Sequence, residues 1–457
     1  MPDTENIPRV LPKRILVIGG GASGLVTLRN LLERGEFDEV QLIERRDDVG
    51  GVCPKVHVGL PLHILGSLET SFLNFCPSPP FRPFQSPPST ATGQPFPTLA
   101  ETHTYLQAFA APLLSQGLIR LNTEVCAMEE LKGRAGWRVR LRRWAGGGKA
   151  DETEETWDAV VVAVACYDYP VFPTTPGIAQ LRDLGLAQHA QIWRGPGGYD
   201  GKRLLVIGNA NSGNDIAAQL APVAGAVFQS IRRPNFPGFP SLPDPRIARV
   251  ASVEEYVVRK LAESTVVDAH LTDGTVIHDL DGVLFGTGYL PFPDFVRVLD
   301  EESQTLVPLV TATTSPPRVP SLHRYTLYAR NPTLAFVGTA VASYTPFTIA
   351  DVCSTWLALA WTGTIEYPTT LDDLLEFERE RLAAVAAARI ENGSGIQGIL
   401  EAYASGLRAE VVQARPELGA VLPVWNPERT EVREAMFDKK RAALELARVR
   451  EREALGQ

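Results

Sequence analysis

Patterned cysteine is what this chain lacks most clearly. Its five cysteines, Cys53, Cys76, Cys126, Cys166 and Cys353, are scattered, and no two form a C-x-x-C pair. An odd, unpatterned set argues against a disulfide framework and reads as the reduced thiols of a cytoplasmic protein. Histidine is also sparse, and His57, His63 and His103 show no metal-ligand spacing, so no metal site is expected. Excess basic charge is absent. The net charge of −9 and a pI near 5.5 leave no basic stripe to neutralise phosphates, which argues against nucleic acid as the main partner. Long apolar runs are missing too. The longest near the C-terminus, around Trp356 to Trp361, falls far below the ~20 residues a bilayer span requires. The polar, proline-broken N-terminal stretch has no apolar core, so no secretory signal is expected.

What remains is ordinary globular composition, with 44% apolar and 21% charged residues. At 457 residues the chain is too long for one hydrophobic core, so two domains are expected. Residues 14–19 (RILVIG) read as a buried strand, 22–34 as a helix ending before Gly35, and 39–44 (EVQLIE) as a second strand. From about 76 to 98 the chain is rich in proline and serine. Its phenylalanines argue for an ordered irregular loop rather than a linker, because aromatics favour burial. Residues 100–116 look helical. Three strand-like stretches follow, with the charged and Gly-rich segment 145–156 read as a hairpin turn or loop. A second strand–helix–strand unit starts at Lys202, with its helix at 214–221. Strands return at 283–287 and 333–338, and helices follow from Ile349.

Each strand–helix–strand unit opens on a glycine-rich turn. In the first, Gly19, Gly21 and Gly24 fit G-x-G-x-x-G, with Ala22 and Ser23 between them. The first glycine permits the tight turn, the second lets backbone approach a pyrophosphate, and the third lets helix pack on strand. The helix N-terminus then offers its free N–H groups and positive dipole end to the phosphates. Glu44 ends the next strand and is placed to accept hydrogen bonds from ribose hydroxyls, with Arg45 beside it. Gly50, Gly51 and Val52 resemble a second flavin-contacting loop.

In the second unit, VIGNANSG, the glycines are Gly208 and Gly213, while Ala210 replaces the middle one. Asn211 and Ser212 complete this candidate phosphate loop. An alanine narrows the approach to a pyrophosphate but keeps the strand–turn–helix context. The following strand ends not on an acid but on Arg232 and Arg233, which suit a 2′-phosphate through charge-assisted bonds. NADPH is therefore expected in preference to NADH.

With these motifs the chain resembles the flavin-containing monooxygenase family, the class B flavoprotein monooxygenases. The resemblance runs through VIGGGASGL, LIERRDDVGGV, KRLLVIGNANSGNDIA, DGVLFGTGYLPFPDF with Thr287 and Gly288, and LAFVGTA. The family signature F-x-G-x-x-x-H-x-x-x-(Y/F) is half kept. Gly185 and His189 fit, Asp183 stands for the phenylalanine, and Trp193 takes the last place. Two departures stand out. Cys53 occupies the usual tryptophan position after Gly-Gly, and Ser71 replaces the asparagine of Leu-x-Thr-Asn, with Asn74 a candidate substitute.

The resemblance implies an α/β fold with two Rossmann-like domains, an FAD domain (1–170 and 283–457, the latter with C-terminal helices) and an inserted NADPH domain (171–282). It implies that NADPH reduces FAD. Reaction with O2 then gives a C4a-(hydro)peroxyflavin that oxygenates nitrogen or sulfur of a small organic substrate, plausibly a secondary metabolite. Three other outcomes stay open: Baeyer–Villiger oxygenation of a ketone, uncoupled H2O2 production if Ser71 and Cys53 shorten the life of that intermediate, and a non-catalytic dinucleotide-binding protein. His189 is a candidate catalytic residue near the nicotinamide or, alternatively, a structural histidine at the domain seam. Tyr344, Phe347, Asp351 and Cys353 are candidate pocket residues, as is Cys53, whose small side chain would enlarge the space beside the flavin. The charged helical pattern from Glu431 is either a solvated surface helix or a homodimer contact.

Overall fold

The computed structural model describes residues 6–51, 99–144, 150–232, 243–262, 264–311, 313–339, 346–390 and 396–425, with five isolated positions between 438 and 449. Val52, Cys53, Ser71, Asn74, Arg233 and Tyr344 lie outside the described residues, as do the proline-rich segment and most of the C-terminal helical pattern. The side chain of Phe347 does too.

The first sheet has seven strands. Its central part is parallel, in the order Leu334–Phe336, Ala159–Val162, Arg14–Ile18, Glu39–Ile43 and Ile119–Arg120. Both faces of this sheet are covered, which is why its strands read as continuous apolar runs. The period-two alternation sorts the side chains. Ile15 and Val17 join the core shared with Leu25, Leu28 and Leu31 of helix Ala22–Arg34 and with Trp356 and Trp361 of helix Pro346–Trp361. Leu16 and Ile18 point the other way, onto a layer holding Met128, Trp137 and Trp157.

That second layer corrects one sequence expectation. Ala150–Trp157 is a full strand, not a loop, paired antiparallel with Trp137–Trp144 along its whole length. The charged, Gly-rich sequence of 145–156 suggests a turn or loop, and the structure puts its acidic part in a strand. Cross-strand charge explains it: Arg142 lies 2.8 Å from Glu152, and Arg138 lies 3.2 Å from Glu154. Opposite charges across a ladder support a strand that is largely exposed up to its buried last residue, Trp157.

The second domain carries a five-stranded parallel sheet in the order Ile247–Val250, Ala226–Ser230, Arg203–Ile207, Gly282–Phe285 and Ala187–His189. Strand Gly282–Phe285 sits inside this sheet, so the sheet runs past the boundary expected at 282. Two crossovers, 163–172 and 286–292, join the domains side by side. Val171 N–H donates to the Gly288 carbonyl (2.9 Å) and Leu290 N–H to the Tyr169 carbonyl (2.9 Å). Tyr167 packs edge-on against Tyr289 at 5.1 Å, and Tyr169 against Phe292 at 5.2 Å.

A buried polar cluster locks the two helices under the first sheet. Arg29 reaches Asp351 at 2.6 Å, and Asn30 Nδ2 donates to the Asp351 side chain (2.9 Å) and to Ser354 Oγ (2.7 Å). Asp351 is therefore a helix-packing residue and not a pocket residue. Cys353 is corrected in the same way. It is 4% exposed inside the main core, with Sγ 3.2 Å from the Tyr403 hydroxyl. Burial pushes its thiol up to about 11, so it is no nucleophile at neutral pH. Asp351→Ala should lower unfolding free energy by about 3 kcal/mol, because buried Arg29 would lose its 2.6 Å carboxylate contact. Urea denaturation of the cofactor-free protein measures this, and a change below about 1 kcal/mol would contradict the role.

Candidate functional site

The first glycine turn is shaped by the removal of side chains. Gly19 has φ +111°, and a Cβ there would lie 2.9 Å from the Ala163 carbonyl oxygen. Gly24 faces inward, where a Cβ would run into the Gly19 carbonyl oxygen, so helix Ala22–Arg34 packs directly on the strand that precedes it. Its first N–H groups are thereby brought to the end of the parallel strands, where a pyrophosphate binds. The Gly-Gly turn closes on the same loop: Gly50 N–H donates to the Gly20 carbonyl at 2.9 Å.

Glu44 completes this cradle. It is buried, and its Oε2 accepts from Gly20 N–H at 2.7 Å while Oε1 accepts from Arg46 N–H at 3.0 Å. Both carboxylate oxygens are thereby fixed by backbone of the loop and of the strand end. Gly19, Gly21, Ala22, Ser23, Glu44, Arg45 and Gly51 all line one cleft of about 940 Å³. This volume suits a large dinucleotide. Gly24 lies behind the wall, as its packing role requires. The donor set of backbone N–H groups and a buried acid on the cleft wall fits FAD.

The second glycine turn repeats the device in the other sheet. Gly208 has φ +114°, and a Cβ there would lie 2.6 Å from the Gly286 carbonyl oxygen. A Cβ on Gly286 would in turn lie 2.6 Å from Gly213 N. Ala210 has φ −85° and ψ −173°, ordinary extended values that alanine adopts without strain. Helix Asn211–Leu220 starts immediately after it, so Asn211, Ser212 and Gly213 form its first turn. Gln229 braces the loop from the next strand, donating to the Gly208 carbonyl (2.9 Å) and to Asn214 Oδ1 (2.9 Å). Arg232 stands exposed just beyond strand Ala226–Ser230.

Thr287 and Gly288 do not reach the first cleft. Thr287 Oγ1 donates to the Val171 carbonyl, so both residues belong to the paired crossovers. Gly338 and Asp168 are among the wall residues that had no role assigned from the sequence. Gly338 follows strand Leu334–Phe336 and abuts Ser23, where a Cβ would lie 2.9 Å from Ser23 Oγ. A glycine directly after a buried strand was the available signal. Asp168 sits in the first crossover, and no motif marked it.

His189 is buried at the seam, beside Phe172 (5.5 Å) and Tyr289 (5.1 Å). Its Nδ1 accepts from Gln191 N–H at 3.1 Å, which fixes the neutral ring with its proton on Nε2. Burial lowers its pKa to about 4, against a smaller opposing contribution from the Gly288 backbone. Among the described residues, no group of three His, Cys, Asp or Glu side chains could hold a metal ion. No described helix is long and apolar enough to cross a membrane. For His189 the folded pKa lies below the unfolded value of about 6.5. As pH falls through that value the unfolded chain takes up a proton that the native state refuses, so stability is lost from about pH 6.5 down to about 4. His189→Asn should reduce the slope of that part of the profile of melting temperature against pH, the rest coming from buried His323, whose pKa is likewise lowered to about 4. An unchanged slope would contradict the assignment.

The comparisons with known proteins agree with this fold. A family model described as flavin-binding monooxygenase-like matches residues 12–236. Flavin-containing monooxygenase FMO GS-OX2 of Arabidopsis thaliana is 27% identical over 393 residues, covering 80% of this chain and 77% of that protein. Flavin-containing monooxygenase ustF2 of Aspergillus flavus is 24% identical over 365 residues, covering 74% of this chain and 72% of that protein. Among solved structures, S-allyl-L-cysteine S-oxygenase from Allium sativum is similar with a TM-score of 0.70 at 21% identity, covering 95% of this chain and 94% of that one. Cyclohexanone monooxygenase is similar with a TM-score of 0.57 at 15% identity, covering 89% of this chain and 97% of that one. This chain thus belongs to the flavin-containing monooxygenase family, oxidoreductases that use FAD and NADPH.

Proposed function

We propose that this monooxygenase transfers one oxygen atom from O2 to the sulfur of a small organic thioether, with nitrogen as the second acceptor. The observation that carries the reading is the pair of phosphate cradles, at Gly19–Gly24 and Gly208–Gly213, on two parallel sheets held together by paired crossovers. The names of the relatives support sulfur, since one solved neighbour is an S-oxygenase.

FAD, when bound, supplies the redox and oxygen-transfer chemistry. The protein's share is to bind, orient and exclude water. Segments 1–170 and 286 onward would hold FAD, with Glu44 on its ribose and the 22–24 helix start on its pyrophosphate. The inserted segment 171–285 would hold NADPH at Ala210–Gly213, with Arg232 and Arg233 on the 2′-phosphate. Ser71, Asn74, Cys53, Tyr344 and Phe347 remain proposed neighbours of the flavin and substrate, and the C-terminal helix a proposed dimer contact. His189, neutral and buried, is better suited to positioning than to proton transfer.

The test is turnover of the FAD-loaded enzyme with NADPH, O2 and a thioether. One sulfoxide per NADPH is expected. H2O2 alone would replace this reading with an NADPH oxidase, and an ester or lactone from a ketone, with no sulfoxide, would replace it with Baeyer–Villiger oxygenation. Glu44→Ala should weaken FAD binding by roughly 10- to 100-fold in equilibrium titration, the scale of lost hydrogen bonds to a charged group; unchanged affinity would remove Glu44 from the cofactor site. Arg232→Ala should raise the KM for NADPH by about fivefold and leave that for NADH unchanged, as befits an exposed charge contact. Equal effects on both cofactors would refute a 2′-phosphate role.

A further inference from the structure

Residues 163–169 leave the first sheet at Val162 and line the FAD cleft before crossing to the second domain. The segment has an unusual shape, since Ala165 takes φ +56°, uncommon for a residue with a side chain. Asp168 on this strap meets Arg45, which follows Glu44 on another part of the cleft wall, with Nη2 2.5 Å from Oδ1. The strap is also held from the second domain. Gln191 Nε2 donates to the Tyr167 carbonyl (2.6 Å) and to the Asp168 carbonyl (3.2 Å). Gln191 is itself fixed, because its backbone N–H donates to His189 Nδ1 at the end of strand Ala187–His189.

We propose that Asp168 and Gln191 are positioning residues that retain FAD. Gln191 holds the strap from the nicotinamide domain, and Asp168 closes the strap onto Arg45 beside the ribose-binding carboxylate. Release of the dinucleotide then requires this pair to open. The inference rests on FAD occupying the first cleft. Both side chains are about two-fifths exposed (39% and 41%), so the pair is weak and screened by salt. It acts as a kinetic latch, not as a main source of affinity.

The test is the rate of FAD release from the holoprotein, read from the recovery of free flavin fluorescence at low and high salt. Asp168→Asn and Gln191→Ala should each release FAD about 2- to 5-fold faster at low salt, the range of an exposed ion pair. Salt should speed release from the parent protein and have much less effect on Asp168→Asn, whose latch is already open. Asp168→Glu should restore most of the retention. The melting temperature of the cofactor-free protein should not change in Asp168→Asn. Parent-like release and salt dependence in Asp168→Asn would overturn the latch. So would faster release that Asp168→Glu fails to restore and that tracks a fall in cofactor-free stability, which would mark a structural role only. Failure of the parent protein to take up FAD would overturn the cofactor assignment itself, whereas normal uptake with unchanged release overturns the latch alone.

Discussion

The rest of the structure depends on one close approach: helix backbone against strand backbone at the two glycine turns. Where Gly24 meets the Gly19 carbonyl there is no room for a Cβ, and the same holds where Gly286 meets Gly213. Any side chain there would push the helix off its sheet and turn its N-terminal N–H groups away from the cleft. Because the helices sit flush, the chain presents free backbone donors at the ends of two parallel sheets. That is the chemistry a dinucleotide pyrophosphate recognises.

A second layer of constraint lies between the domains. The crossovers are hydrogen-bonded to each other and stacked through tyrosine and phenylalanine rings. His189 stays neutral among them because burial disfavours its charged form, and its Nδ1 accepts from Gln191 N–H. The seam thus links the strand end that carries His189 to the strap on the FAD cleft through Gln191.

The glycine spacing, the acid at Glu44 and the two strand–helix–strand units were legible because each is a local pattern with a local cause. The exposed strand Ala150–Trp157 was not legible, since its stabilisation comes from arginines on its partner strand rather than from its own apolar period. Asp351 and Cys353 misled for a related reason. They stand near a segment expected beside the flavin, but one turn of a helix decides which way a side chain points. The helix packs Asp351 onto Arg29 and Cys353 onto Tyr403.

By itself the sequence determined the family, the two cofactors and the glycine turns that open both strand–helix–strand units, because each is carried by a short local motif. Only the tertiary structure decided which residues share the cleft wall. It joined Gly338 to Ser23 and Asp168 to Arg45, pairs far apart in the chain, and it assigned strand Gly282–Phe285 to the second sheet. Such pairings follow from how sheets and crossovers pack in space, and no local pattern in the chain encodes them.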